Sequence, residues 1–207
     1  MKTKINLETW NRKDHFLFFK QMEEPFYGIT TTLDCTKGYE EAKQLGVSFF
    51  TYYLHKTLVA VNAVENFKYR IENDEVVLHE TICASATIMR EDKTFGFSYM
   101  DFAENLDEFA EIVTTEIDRI QHTTGIFTRT YPENIIHFSA LPWIDFTSIS
   151  HSRSFTWPDS CPKISIGKLT DENGKKSMPI SVHVHHGLVD GYHVGLFLEK
   201  LQQLMNE

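Results

Sequence analysis

Only three cysteines occur in the 207 residues: Cys35, Cys83 and Cys161, odd in number and never in a C-x-x-C arrangement. That excludes a disulfide framework or a thiolate-rich zinc ribbon as the organising device. The ten glycines and six prolines are scattered, so no Pro/Gly/Ser linker divides the chain. Neither G-x-G-x-x-G nor a P-loop is present, which removes the usual dinucleotide and ATP sites. No window approaches eighteen consecutive apolar residues, and the opening MKTKINLETWNRKD lacks the apolar core of a signal peptide. Excess base is missing too: the net charge of −9 has the wrong sign for nucleic acid. The expectation is one cytoplasmic domain spanning 1–207, with neither a membrane nor a nucleic-acid partner.

What is abundant is aromatic: 16 Phe, 8 Tyr and 3 Trp, enough for a ring-packed core and an aromatic-lined ligand pocket. Local patterns predict a helix over 10–20 with a stripe of Phe16, Phe18 and Phe19, then a β-branched strand over Tyr27–Asp34. Ser48 caps a long buried helix carrying Phe50, Leu54, Leu58 and Val61, and Asn73-Asp74 turns a hairpin. Asn105 caps an amphipathic helix with Leu106, Phe109, Val113 and Ile120 on one face. ICASATIM, TFGFSYMDF, IIHFSAL, KISIGKL and MPISVHVHH read as strands, and a last helix begins near Gly191. Helices and strands are mixed without regular alternation. The predicted class is therefore α+β, a two-layer sandwich with a mixed central sheet and helices on one side.

One stretch concentrates chemistry. PISVHVHHGLVDGYH places His183, His185, His186 and His193 within eleven residues. On a strand, Ile180, Val182 and Val184 share one face and Ser181, His183 and His185 the other, with His186 at the strand's end. Three readings stand at this point: half-buried strand histidines, an i,i+2 metal chelate, or a catalytic base braced by an Asp four residues on. The chelate lacks the third and fourth ligands zinc wants, and no Cys lies nearby.

HHGLVDG (185–191) matches H-H-x-x-x-D-G. FSALPW (138–143) and TWNRKDHFLFF (9–19) stand upstream of it. Together these three pieces resemble the trimeric chloramphenicol acetyltransferases over essentially the whole chain. Dihydrolipoamide acyltransferase cores and peptide-synthetase condensation domains share close versions of the first motif. The resemblance implies that His186 is a general base, its Nδ1–H held by a backbone carbonyl and its Nε2 taking the proton of an acceptor hydroxyl. That hydroxyl attacks the acetyl-CoA thioester directly, without an acyl-enzyme. An imidazole suits the task because it ordinarily titrates near pH ~6.5. Ser139 is implied as the oxyanion donor, Asp190 and Arg12 as a buried architectural ion pair, and Trp143 as a contact for the CoA arm.

By the same resemblance Phe19, Phe95, Phe127 (or its neighbour Ile126), Ile149 and Ser165 line the acceptor pocket. Acetyl-CoA is the co-substrate, no metal is needed, and a homotrimer carries active sites between its subunits. The sequence departs from the family's pattern in the pocket. Phe19 replaces a Tyr, His137 an Asn, and His151 and Lys163 stand where apolar residues are usual. A register slip of one residue would turn Lys163 to solvent instead. The implied activity is O-acetylation of chloramphenicol. Alternatives are the same transfer to another hydroxyl compound, or a non-catalytic ligand-binding protein on this scaffold.

Overall fold

A computed structural model describes residues 1–153 and 159–207. The chain runs β1 (Lys2–Lys4), α1 (Lys13–Phe19), β2 (Phe26–Asp34), α2 (Thr36–Leu45), α3 (Phe49–Ala63), β3 (Tyr69–Glu72), β4 (Glu75–His79), β5 (Cys83–Met89) and β6 (Phe95–Phe97). It continues with α4 (Leu106–Gln121), β7 (Ile135–Ala140), β8 (Lys163–Ile166), β9 (Thr170–Glu172), β10 (Lys175–His185) and α5 (Gly191–Met205). The main sheet has the order β2-β10-β8-β7-β5-β6, with β9 against β10. Its β5–β7 and β7–β8 pairs are parallel and the others antiparallel, so the sheet is mixed. A separate small sheet, β1-β4-β3, is built around the hairpin turning at Asn73 and Asp74. Both turn residues have positive φ, 50° and 63°, as a primed hairpin turn requires.

The registers sort the main sheet into two faces. One cross-strand row is Ile29, Val182, Ile164, Phe138 and Ala86. Apart from Ile29, which packs on it, this row lies in the main core cluster with Leu54 and Leu58 of α3, Phe109 and Val113 of α4, and Phe197 and Leu201 of α5. The helices therefore cover that face, as the apolar alternation of the strands demands. The opposite face is polar. One row across it runs Gly28, His183, Lys163, His137 and Ser85, and the next runs Thr30, Ser181, Ser165 and Ser139.

The local caps behave as their chemistry predicts. Ser48 Oγ accepts the Thr51 amide at 3.1 Å, and Asn105 Oδ1 accepts those of Asp107 and Glu108 at 2.8 and 3.1 Å. The first helix is shorter than its apolar pattern, because residues 10–12 form a turn and Arg12 leaves helical geometry at φ −102°, ψ 11°. Of its aromatic stripe only Phe16 is buried; Phe18 is exposed. Among the described residues no helix is long and apolar enough to cross a membrane.

Candidate active site

His186 is the first residue beyond β10. Its amide donates to Pro25 O at 2.8 Å, which fastens it to the approach of β2. The chain then turns sharply, the Leu188 and Val189 amides both reaching His185 O at 3.0 Å. Asp190 closes the loop with both carboxylate oxygens. Oδ1 accepts the Tyr192 amide at 3.2 Å as the N-cap of α5, and Oδ2 takes Arg12 Nη1 at 2.6 Å. Arg12 Nη2 donates to His186 O at 3.2 Å. A single guanidinium thus ties the loop carrying His186 to the N-terminal segment. Arg12 is buried but the Asp190 side chain keeps 30% exposure, so the pair is half-open rather than sealed. Burial pushes the Asp190 carboxyl up, but the Arg12 hydrogen bond and charge, together with His193, outweigh it and hold the carboxyl below its usual range.

The imidazole of His186 lies between rings. Phe19 stacks on it at 4.0 Å and 6°, and Tyr27 tilts against it at 4.5 Å and 41°. The backbone-carbonyl partner expected for Nδ1 is not found: this atom is buried with no hydrogen bond to the described residues. The two aromatic faces hold the ring instead. His185 points elsewhere, its Nδ1 accepting the Gly187 amide at 3.1 Å, and burial and then Arg153 push its pKa down to about 4. It is a neutral structural histidine.

The polar face of the sheet carries a cavity of about 790 Å³. Phe95, Phe97 and Phe127 form one end, and His137, His151 and Lys163 stand at the other, with Ser139 also in the lining. Lys163 does not face solvent. It is buried, paired with Asp159, and lies 4.5 Å from the Phe26 ring centroid. Burial raises the Asp159 carboxyl, but Lys163 overrides this and leaves it lowered. Burial and then Lys163 push His137 down to about 4, and burial and then His183 do the same for His151, so both rings are neutral near pH 7. His137, Asp159 and Cys161 converge closely enough to surround a metal. However, the adjacent Lys163 ammonium already neutralises Asp159, and the buried Cys161 thiol is pushed up to about 11, so the donor set fits an ion poorly.

The predicted residues therefore fall into two groups. His186, Arg12, Asp190 and Phe19 come together at the end of β10; Ser139, Phe95 and Phe127 come together in the cavity. Ser165 is fully buried beside Ser139 in register, with His151 Nε2 at 3.4 Å. Ile149 is half-buried and does not line the cavity, and Trp143 is 63% exposed just after β7. Phe19 belongs to the His186 group rather than to the cavity of its own chain. Three contributors carried no sequence signal of their own. Tyr27 acts through a partner distant in sequence, Asp159 pairs with Lys163 four residues on, and Arg70 is a fully buried guanidinium donating to four carbonyls, including Ile135 O at 2.6 Å, where β7 begins.

The family model described as chloramphenicol acetyltransferase matches residues 1–202. The chain is 32% identical over 200 residues to the chloramphenicol acetyltransferase of Bacillus pumilus, covering 96% of this chain and 91% of the relative. It is 27% identical over 206 residues to chloramphenicol acetyltransferase 3 of Escherichia coli, covering 99% and 97%. A solved chloramphenicol acetyltransferase structure superposes with a TM-score of 0.90 at 31% identity, covering 99% of this chain and all of that one. A probable dihydrolipoamide acetyltransferase from Listeria monocytogenes shares the fold, at TM-score 0.66 and 13% identity over 99% of this chain and 93% of the other.

Proposed function

Because the chain belongs to the chloramphenicol acetyltransferase family, we infer that it acetylates a hydroxyl of chloramphenicol from acetyl-CoA, with His186 as base and Ser139 as oxyanion donor. An alcohol is a poor nucleophile at neutral pH, so a neutral imidazole must take its proton as the new C–O bond forms. The ring is held for this by Phe19 and Tyr27 and by a loop clamped through Arg12 and Asp190. Ser139 donates to the thioester oxygen as it gains charge, a contribution of ~10²–10³ in rate for one such donor. His186 then returns the proton to the departing thiolate, so the base is regenerated. The exposed indole of Trp143 is offered to the CoA arm.

The two catalytic groups of one chain cannot serve one acceptor. Ser139 is in register, through Ser165, with Ser181, and His186 lies five residues further along. Two strand spacings of ~4.8 Å and five residues at ~3.3 Å separate them by roughly 19 Å. This supports an assembly in which His186 of one copy faces the Ser139 cavity of its neighbour, and the family resemblance makes that assembly a homotrimer. A cytoplasmic site of action fits the three free, buried thiols.

The single observation that carries the reading is the clamped, ring-sandwiched His186 at the end of the sheet that also bears Ser139. Thiol release from acetyl-CoA in the presence of chloramphenicol tests it. Turnover lost in His186→Ala is expected. Absence of turnover in the wild type, or its survival at more than about a tenth in the variant, would overturn it.

A further inference from the structure

We propose that His193 is a positioning residue for the base His186: its Nδ1–H holds the Asp190 carboxylate in the orientation that lets Arg12 grip the His186 carbonyl. This rests on the acyl-transfer reading above. The contacts form one chain from α5 to the base. His193 Nδ1 lies 2.8 Å from Asp190 Oδ1, Asp190 Oδ2 takes Arg12 Nη1 at 2.6 Å, and Arg12 Nη2 reaches His186 O at 3.2 Å. His193 stands outside the lining of the Ser139 cavity, so it reaches the reaction through this chain.

One nitrogen faces two partners that it cannot serve together. Nδ1 is 2.8 Å from Asp190 Oδ1, which only accepts, and 3.2 Å from the Asp190 amide, which only donates. As an acceptor, Nδ1 would complete a capping box at the start of α5, a structural role. It would then press its lone pair against an anionic oxygen at hydrogen-bond distance. As a donor it makes a charge-assisted bond, for which 2.8 Å is a usual length, whereas 3.2 Å is at the long end for the alternative. The shorter contact, to the charged partner, decides between them. Burial lowers the His193 pKa, Asp190 offsets part of this and Arg12 adds to it. The ring is therefore neutral near pH 7, with a single N–H to place. That proton sits on Nδ1, and Nε2 is left bare.

Without this bond Oδ1 would retain the Tyr192 amide, at 3.2 Å, and the carboxylate could swing about its Cβ–Cγ bond. The Asp190 side chain is 30% exposed, so little packing opposes the swing. Oδ2 would then leave Arg12, and the guanidinium would lose its hold on His186 O. Proton transfer is the step that suffers, because a misplacement of about 1 Å costs up to ~10²-fold in rate. Substrate binding is spared, since His193 stands outside the cavity.

Asn and Asp test the assignment, because they share a shape and differ in the atom set at the Nδ1 position. The Asn amide can donate to Asp190, whereas the Asp carboxylate can only accept and suits a helix N-terminus. Turnover is read as thiol release from acetyl-CoA with chloramphenicol. His193→Ala should lower kcat at least ~10-fold, the worth of one hydrogen bond to a charged group, with KM for both substrates held within about twofold. His193→Asn should recover most of that loss, and His193→Asp none of it. In an Asp190→Ala background His193→Ala should cost nothing further, because it acts through Asp190. The tautomer is read independently of turnover, from the imidazole nitrogen shifts in NMR of histidine-labelled protein, where His193 should show a protonated Nδ1. A bare Nδ1, equal kcat in the Asn and Asp variants, or a full His193→Ala effect in the absence of Asp190 overturns this inference. Thiol release by the wild type leaves the acyl-transfer reading standing in each of those cases. No thiol release by the wild type overturns that reading, and the part of His193 in it. If the Ala variant does not fold, the Asn–Asp pair and the tautomer decide.

Discussion

Two chains that are each inactive should make an active enzyme together. Ser139→Ala removes the proposed oxyanion donor and is expected to lose ~10²–10³ in kcat. His186→Ala removes the proposed base and should lose at least ~10². One chain holds these groups roughly 19 Å apart, so in the proposed assembly each site would draw Ser139 from one copy and His186 from the next. Co-expressing the two variants with different tags and purifying on both selects mixed assemblies. Around a mixed ring of three, about one site in three then has both groups intact, whereas a mixed pair would have about one in two. Thiol release per site should therefore return to about a third of wild type. The fraction recovered reads the number of copies as well as the division of labour. Mixed assemblies no faster than their parents would refute the split site. They would also require Ser139 and His186 to approach within one chain, against the registers of β7, β8 and β10.

The clamp and the packing give four more outcomes. Arg12→Ala should lower stability by about 2–3 kcal/mol, below the cost of breaking a sealed pair, since Asp190 is partly open. Asp190→Asn should be milder than Asp190→Ala by about 1 kcal/mol in urea unfolding, because Asn still caps α5. His185 is neutral when folded, with a pKa near 4, while the unfolded chain protonates near ~6.5. Its contribution of about 3 kcal/mol is thus complete above pH ~6.5 and lost as pH falls to 4, so melting temperature should drop over that window and drop less in His185→Gln. A Cβ at Gly28 would lie 2.3 Å from His183 Nε2. Gly28→Ala should therefore destabilise the fold, and adding His183→Ala should restore most of the loss; strictly additive effects would exclude the contact.

Features written in neighbouring residues were legible in the sequence. Ser48, Asn105, Asn73-Asp74 and the alternation of Ile180, Val182 and Val184 each act within a few positions of themselves. The helix α2 was not legible. TKGYEEAKQL buries only Gly38 and Ala42, and so shows no apolar period. Gly38 is there for close approach, an added Cβ meeting Met205 and Tyr52 at 2.7 and 3.0 Å. The third strand of the small sheet escaped notice because Lys2–Lys4 is wholly exposed. In the site, the motif residues stood out, but their contacts did not. That Tyr27 touches His186 depends on β2 lying beside β10, and that Lys163 turns inward depends on β8's register. Both are properties of pairing between distant strands, which no local pattern encodes.

The placement of β2 has a consequence for how the protein is made. Its sheet neighbour is β10, Asp34 pairing with Ser177, and the Arg12–Asp190 contact joins residues 178 apart. At a ribosome adding ~5–20 residues per second, β2 emerges and waits about 7–30 s for its partner. Until then it has no partner on either side, and the β-branched run Thr30-Thr31-Thr32 favours the extended conformation it will need. Everything that positions His186 closes only when the last tenth of the chain has been translated, after the Ser139 strand has emerged. On the proposed mechanism competence is thus gained in one late step, and a chain released before Asp190 lacks the clamp that fixes the loop carrying His186.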